Sequence, residues 1–493
     1  MEKSRLLKLL RSLSKEELRG LKKFVRNPFF NQRSEVPALL DVLEKSLKAN
    51  RSLPDKEQAY RQIFAGRLND ELALESKSAS AAASFDDHRV RMAMSFLYQL
   101  TGQFLAVQDF LNDKPQYQRR LAAIFRRRQL PEQFAKICEE AIIAQERQPL
   151  RDAAFFEENY QLLLEKHRFA VESHAFENLD FQELSDRLDS AFLARKLWQS
   201  CFMLAHQSVS NTSYRFGLLD AALAHIEQTD ALHIPAISIY YHCYRALTNP
   251  VEKTHFQQFK KLLTQHGELF PVEELHDLYI LAINFCIRQY NAGNQDYLAE
   301  QFELYKEGFA KKYFLADGTL SRYTYQNAAT IGLVLHELEW VERFVHEYRP
   351  ALKEEHRESL FSFNLARLEY QRRRLGTALQ LLQKAEYKDL MLSLAAKTLQ
   401  LKIFFELREF DLLESHLQAI RAFIRRKKVM GYHRENYLNT VIFTQKLLET
   451  NLFDKEERAA LRREIEATKA VAEKEWLLEQ AESQRGMALR PER

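Results

Sequence analysis

The chain has 493 residues, 46% of them hydrophobic, and 72 Lys and Arg stand against 68 Asp and Glu for a formal net charge of +4. Twelve glycines and 11 prolines are too few for a sheet-rich fold, which needs a turn about every 8–12 residues. The near balance of charge does not call for nucleic acid as a global electrostatic footprint, and local patches could still bind it. Leu, Ala, Glu, Gln, Lys and Arg are abundant and favour long helices joined by short polar loops. Cys138, Cys201, Cys243 and Cys286 lie far apart in apolar helical contexts, so buried free thiols are expected. No secretory pattern opens the chain and no run of about 18 apolar residues occurs, so the expectation is a cytoplasmic protein without a membrane span.

Residues 1–75 are expected to form an N-terminal helical cap. Leu6, Leu7, Leu9, Leu10 and Leu13 make one apolar set. Ser14 followed by Glu17 is a capping-box pattern that starts a second helix, with Leu18, Leu21, Phe24 and Val25 on one face. That helix should stop at Asn27-Pro28, because the residue before proline avoids the helical region. Phe29 and Phe30 then fill an aromatic corner, and Asn31 caps the next helix. Residues 76–85 are poor in large apolar side chains and read as a loop or linker. A helical array with irregular repeats is expected over 86–311, with turns at Asn249-Pro250, Gly267 and Gly293. A longer loop over 312–321 contains Asp317-Gly318. Helix pairs follow over 322–445, charged capping helices over 446–486, and a frayed tail over 487–493.

A repeat is legible between 323 and 420. Ile331, Ala366 and Leu401 recur at a step of 35 residues, and so do the bulky Trp340, Leu375 and Phe410. In FNLARLEYQRRRLGTALQLLQKAE, Leu365 and Ala366 take the leucine and small positions of a first helix. Leu375 sits at the turn, and Ala378, Leu382 and Ala385 follow in the second helix. This pattern resembles the tetratricopeptide-like superfamily, whose period is about 34 residues. Arg373 stands at the usual turn glycine, the terminal proline is missing, and Leu413 replaces a small residue in the next copy. The resemblance implies an all-α fold, an α-solenoid of antiparallel helix pairs with degenerate repeats. LSKEELRGLKKFVRNPFFN and RAFIRRKKVMGYHRENYLN also resemble segments of a family of helical proteins of similar length from Bacteroidota. That family carries no established activity and supplies no catalytic residue.

The densest basic segment holds Arg421, Arg425, Arg426, Lys427, Lys428 and Arg434 with Tyr432, His433 and Tyr437, and no acid lies between 421 and 434. Arg421, Arg425 and Lys428 share a helical face that suits an acidic peptide or phosphates, and the tyrosines could stack on bases. The bland alternative is a solvated basic edge. Arg119, Arg120, Arg126, Arg127 and Arg128 form a second basic patch, and Arg372, Arg373 and Arg374 a third run at a helix-pair turn. Asn284, Asn327 and Asn364 are candidate groove amides. His167 and His174 near Glu158, Glu165 and Glu172 could hold a metal, although such a pair on a charged helix is ordinarily coincidental. No phosphate-loop, dinucleotide, HExxH or nucleophile-elbow motif occurs. The expectation is therefore a non-catalytic interaction scaffold without cofactor or metal. Its partner would be a protein or peptide, an acidic one suiting the basic faces. The alternative is a nucleic-acid-associated helical-repeat protein using its arginine-rich patches. Self-association through the charged helices after 446 stays open.

Overall fold

A computed structural model describes residues 4–48, 55–64, 85–175, 177, 180–210, 212–426, 432–451 and 454–482. Except for Phe85, the linker expected over 76–85 lies outside the described residues, as does the tail over 487–493. The described chain is helical apart from one small hairpin, and successive helices pack as antiparallel pairs. This is the expected all-α architecture of an α-solenoid. The chain divides into two compact units, Met1–Pro149 with Ala153–Phe192, and Leu150–Asp152 with Leu193–Arg493.

The first unit opens as its sequence dictates. Ser14 Oγ accepts from the Glu17 amide at 3.1 Å and Glu17 Oε2 accepts from the Ser14 amide at 2.7 Å. This reciprocal cap satisfies two helix-end donors and starts the helix Lys15–Arg26. Leu7, Leu21, Leu39, Leu43, Val90 and Leu97 close the core of this region. The aromatic corner is only half what was expected. Phe30 stacks on Phe24 at 4.0 Å, but Phe29 is 85% exposed. Asn31 does not cap the next helix, which starts at Glu35; its Nδ2 donates to the Val25 carbonyl at 2.7 Å and ties the corner to the end of the preceding helix. A second core gathers Phe134, Ile137, Cys138, Ala141 and Leu162.

In the second unit the pairs run Pro235–Thr248 with Lys253–His266, Val272–Asn291 with Tyr297–Ala310, Arg322–Val334 with Leu338–Tyr348, Glu354–Gln371 with Leu375–Lys384, and Leu390–Glu406 with Phe410–Arg426. Tyr432–Glu449, Lys455–Ala467 and Lys474–Glu482 complete it. The expected loop at 312–321 contains a hairpin, Leu315–Ala316 paired with Thr319–Leu320. Its two central residues, Asp317 and Gly318, both have positive φ, the backbone twist that a two-residue hairpin favours.

The repeat register differs from the sequence expectation in its first step. Within 322–426, three pairs turn through a non-glycine residue of positive φ, namely His336, Arg373 and Arg408. Each turn is closed by the same two backbone bonds, Leu333 O and Gly332 O accepting in the first, Tyr370 O and Glu369 O in the second, Phe405 O and Phe404 O in the third. The turns are thus 37 and then 35 residues apart. The longer step has one more residue in each helix: Leu338–Tyr348 has 11 residues against 10 in Leu375–Lys384, and Glu354–Gln371 has 18 against 17 in Leu390–Glu406. The equivalent fully buried positions are Ala329, Ala366 and Leu401 in the first helices and Val341, Ala378 and Leu413 in the second. Ile331 and Trp340 stand two places off this register. Close approach in the first pair uses Gly332, where an added Cβ would lie 2.6 Å from Val341 Cγ2.

Candidate functional site

The three helices Arg322–Val334, Glu354–Gln371 and Leu390–Glu406 pack side by side. In the turn-aligned register they place equivalent residues in rows across one face. Tyr323, Leu360 and Ala395 form a row that lines a cavity of about 310 Å3, together with Arg322, Gln326, His356, Asp389 and Tyr437. Val334, Gln371 and Glu406 form another row, which lines a larger cavity of about 690 Å3 with Lys402, Glu473 and Trp476. Thr330, Arg367 and Lys402 form the row between. The spacing of 323, 326, 330 and 334 along the first helix is that of a single helical face.

Local chemistry holds each end of this face. Asp389 Oδ1 accepts from the amides of Met391 and Leu392 at 3.1 and 2.9 Å and so starts the helix Leu390–Glu406. Its Oδ2 lies 3.3 Å from Arg322 Nη1, and Arg322 Nη2 donates to Tyr323 Oη at 2.6 Å. At the other end Glu406 accepts from the Tyr370 hydroxyl, from Arg373 Nη1 at 2.9 Å and from Trp476 Nε1 at 3.0 Å. Burial and this bond to Glu406 push the Tyr370 phenol up from its ordinary value, so Tyr370 remains the donor. Lys402 Nζ pairs with Glu473 at 2.7 Å and lies 4.9 Å from the centre of the Tyr370 ring.

The strongest sequence candidate is described only in part. Tyr437 lines the smaller cavity. Arg421 turns to the next helix and donates to Gln445 Oε1. Arg425, Arg426, His433 and Arg434 are exposed. Lys427 and Lys428, with the side chain of Tyr432, lie outside the described residues.

The second basic patch divides between paired and exposed side chains. Arg119 Nε pairs with Glu158 at 3.0 Å, and Arg126 pairs with Glu165 at 3.0 Å and also with Glu172. Arginines and carboxylates both repeat at seven residues, so two helix faces meet as an ion-pair ladder. Arg120, Arg127 and Arg128 are exposed. The carboxylates that could have joined His167 and His174 on a metal are held by arginine instead. His167 is buried with its ring 5.3 Å from Phe181. Among the described residues no group of three His, Cys, Asp or Glu side chains could hold a metal ion. The third run is paired as well, Arg372 with Glu342 and Glu369, Arg373 with Glu406, and Arg374 with Glu369.

The groove amides divide. Asn327 and Asn364 hold equivalent places, 37 residues apart, in step with the turns. Asn284 and Asn327 are exposed. Asn364 is fully buried, its Nδ2 donating to the Leu360 carbonyl at 3.0 Å, and so is no groove amide. All four cysteines are buried and free. Burial pushes the Cys138 thiol up to about 11 and that of Cys286 to about 12, the reverse of an activated nucleophile. Sequence reasoning missed Tyr323, Arg367, Lys402, Glu406 and Trp476. The 35-residue step from Arg367 to Lys402 was the available signal.

No protein-family model, curated protein or solved structure matches this chain. Among the described residues no helix is long and apolar enough to cross a membrane.

Proposed function

We propose that this chain is a non-catalytic scaffold of tetratricopeptide-like helix pairs that holds an extended or helical segment of a partner protein. The segment lies along the face formed by Arg322–Val334, Glu354–Gln371 and Leu390–Glu406. The observation that carries this reading is the alignment of two cavities, about 310 and 690 Å3, at opposite ends of the same three helices. Repeated helix pairs present such extended faces, and a segment docks on them through anchors at regular spacing. Tyr323, 63% exposed at one cavity, offers an aromatic anchor of the kind enriched at interfaces. The pairing of Arg119, Arg126 and Arg372–Arg374 with carboxylates leaves less free positive charge for nucleic acid than the sequence suggested.

The test is affinity capture with the full chain, with Tyr323→Ala, and with Arg425→Glu, each with and without nuclease, followed by binding of the purified captured protein. Binding lost with Tyr323→Ala and kept with Arg425→Glu supports the reading. Binding lost only with Arg425→Glu moves the site to the basic segment. Binding lost with nuclease restores the nucleic-acid alternative.

A further inference from the structure

Several cations on this face are paired with carboxylates. Arg322 pairs with Asp389, Arg373 with Glu406 and Lys402 with Glu473. Arg367, in the middle row, is half-buried. Its Nη1 donates to Thr330 Oγ1 at 2.7 Å and its guanidinium lies 5.7 Å from the Phe363 ring centre. Among the described residues no carboxylate comes within ion-pairing distance of it, and Glu473 acts on it only through space. A guanidinium taken partly out of water without a counter-charge is a cost to folding. Burial accordingly pulls Arg367 below its ordinary value. A planar fork with one neutral partner has donors left for a carboxylate.

We propose that Arg367 is an anion subsite and that the segment taken up by this face is acidic, with a Glu or Asp carboxylate docking on the Arg367 guanidinium. This rests on the scaffold reading above. Lys402, in the equivalent position one helix along, adds a second positive charge already shared with Glu473. The exposed Glu475 and Glu479 border the larger cavity, so the acidic side chain belongs at Arg367 and toward the smaller cavity, where Arg322 and His356 stand. An incoming carboxylate supplies the counter-charge that the fold leaves out, and the interaction is stronger for being partly desolvated.

The probe is fluorescein-labelled octaglutamate, with octaglutamine as the neutral control, titrated by anisotropy against the full chain, Arg367→Met, Arg367→Lys and Arg425→Met. Octaglutamate is expected to bind and octaglutamine not. Arg367→Met weakens octaglutamate by at least about tenfold, the worth of one charged hydrogen-bonded contact. Arg367→Lys keeps part of the binding, and Arg425→Met changes little. The Tm of Arg367→Met stays level or rises, because a charge without a counter-ion has been removed. Octaglutamate binding that is absent, unaffected by Arg367→Met, or lost equally with Arg425→Met overturns the proposal. So does a fall in Tm with binding unchanged, which makes Arg367 structural. Should Arg367→Met fail to fold, Arg367→Lys against Arg425→Met decides in the same way. Failure here leaves the scaffold reading standing wherever the captured partner still depends on Tyr323.

Discussion

Trp476 donates its indole Nε1–H to Glu406 Oε1 at 3.0 Å across 70 residues of sequence, and its ring meets Phe405 edge-on at 5.4 Å. One buried side chain thus fastens the helix Lys474–Glu482 to the repeat array. Thr440 Oγ1 adds a bond to the Ala472 carbonyl at 2.6 Å nearby. The helices after 446 therefore pack their apolar side chains on the preceding helices of the same chain.

Trp476→Ala is expected to destabilise the array by about 3–5 kcal/mol, from lost burial and the cavity left behind. Trp476→Phe keeps most of the packing and forfeits the bond to Glu406, about 1 kcal/mol. Guanidinium unfolding of the two variants measures both. Limited proteolysis should cut first within 455–482 in Trp476→Ala, and unchanged protection there would mean that Trp476 does not hold the cap.

The ion-pair ladder in the first unit should be graded by burial. Arg126 and Glu165 are 12% and 9% exposed, whereas Arg119 and Glu158 are 22% and 30% exposed. Removing Arg126 leaves Glu165 with Arg168 as its remaining cation. Arg126→Met is expected to cost about 3 kcal/mol, since an under-compensated buried carboxylate is left. Arg119→Met should cost below about 1 kcal/mol. Combining Arg126→Met with Glu165→Gln should cost less than the two singles added, which a double-mutant cycle in urea reads directly.

Acid should weaken the second unit through its histidines. His242 Nδ1 faces His255 Nδ1 at 3.0 Å, across the helix pair Pro235–Thr248 and Lys253–His266. Tyr241, Arg245 and Glu227 form a bonded cluster beside them, and Glu252 lies 3.8 Å from His255 Nε2. Burial, and then the facing His255, pull His242 from 6.5 down to about 4. Between those values the unfolded chain binds a proton that the folded chain refuses. Stability therefore rises with pH from about 4 to 6.5 and is level above. Burial lowers His416 as well, which adds to the same slope. His242→Gln should flatten the dependence of the urea midpoint on pH across this window, and an unchanged slope would assign the acid sensitivity elsewhere.

Much of the helical architecture was written locally. The scarcity of glycine and proline, the Ser14–Glu17 cap and the spacing of leucines depend on residues within a few turns of one another, so periodicity and capping are enough to read them. The step from Leu375 to Phe410 was legible for the same reason, because both open the second helix of a pair. The step before it was not, since Trp340 imitates a position that Leu338 holds. Only the His336, Arg373 and Arg408 turns, with their backbone bonds, establish the register of 37 and then 35 residues. The candidate site was the least legible part. A run of arginines looks alike whether it faces solvent or a carboxylate 39 residues away, as Arg119 faces Glu158. Composition and local pattern determined that the chain is a stack of helix pairs. Packing between distant helices decided which charges are spent on the fold and that Arg367 is not, because a charge's partner is set by distance in space and not along the chain.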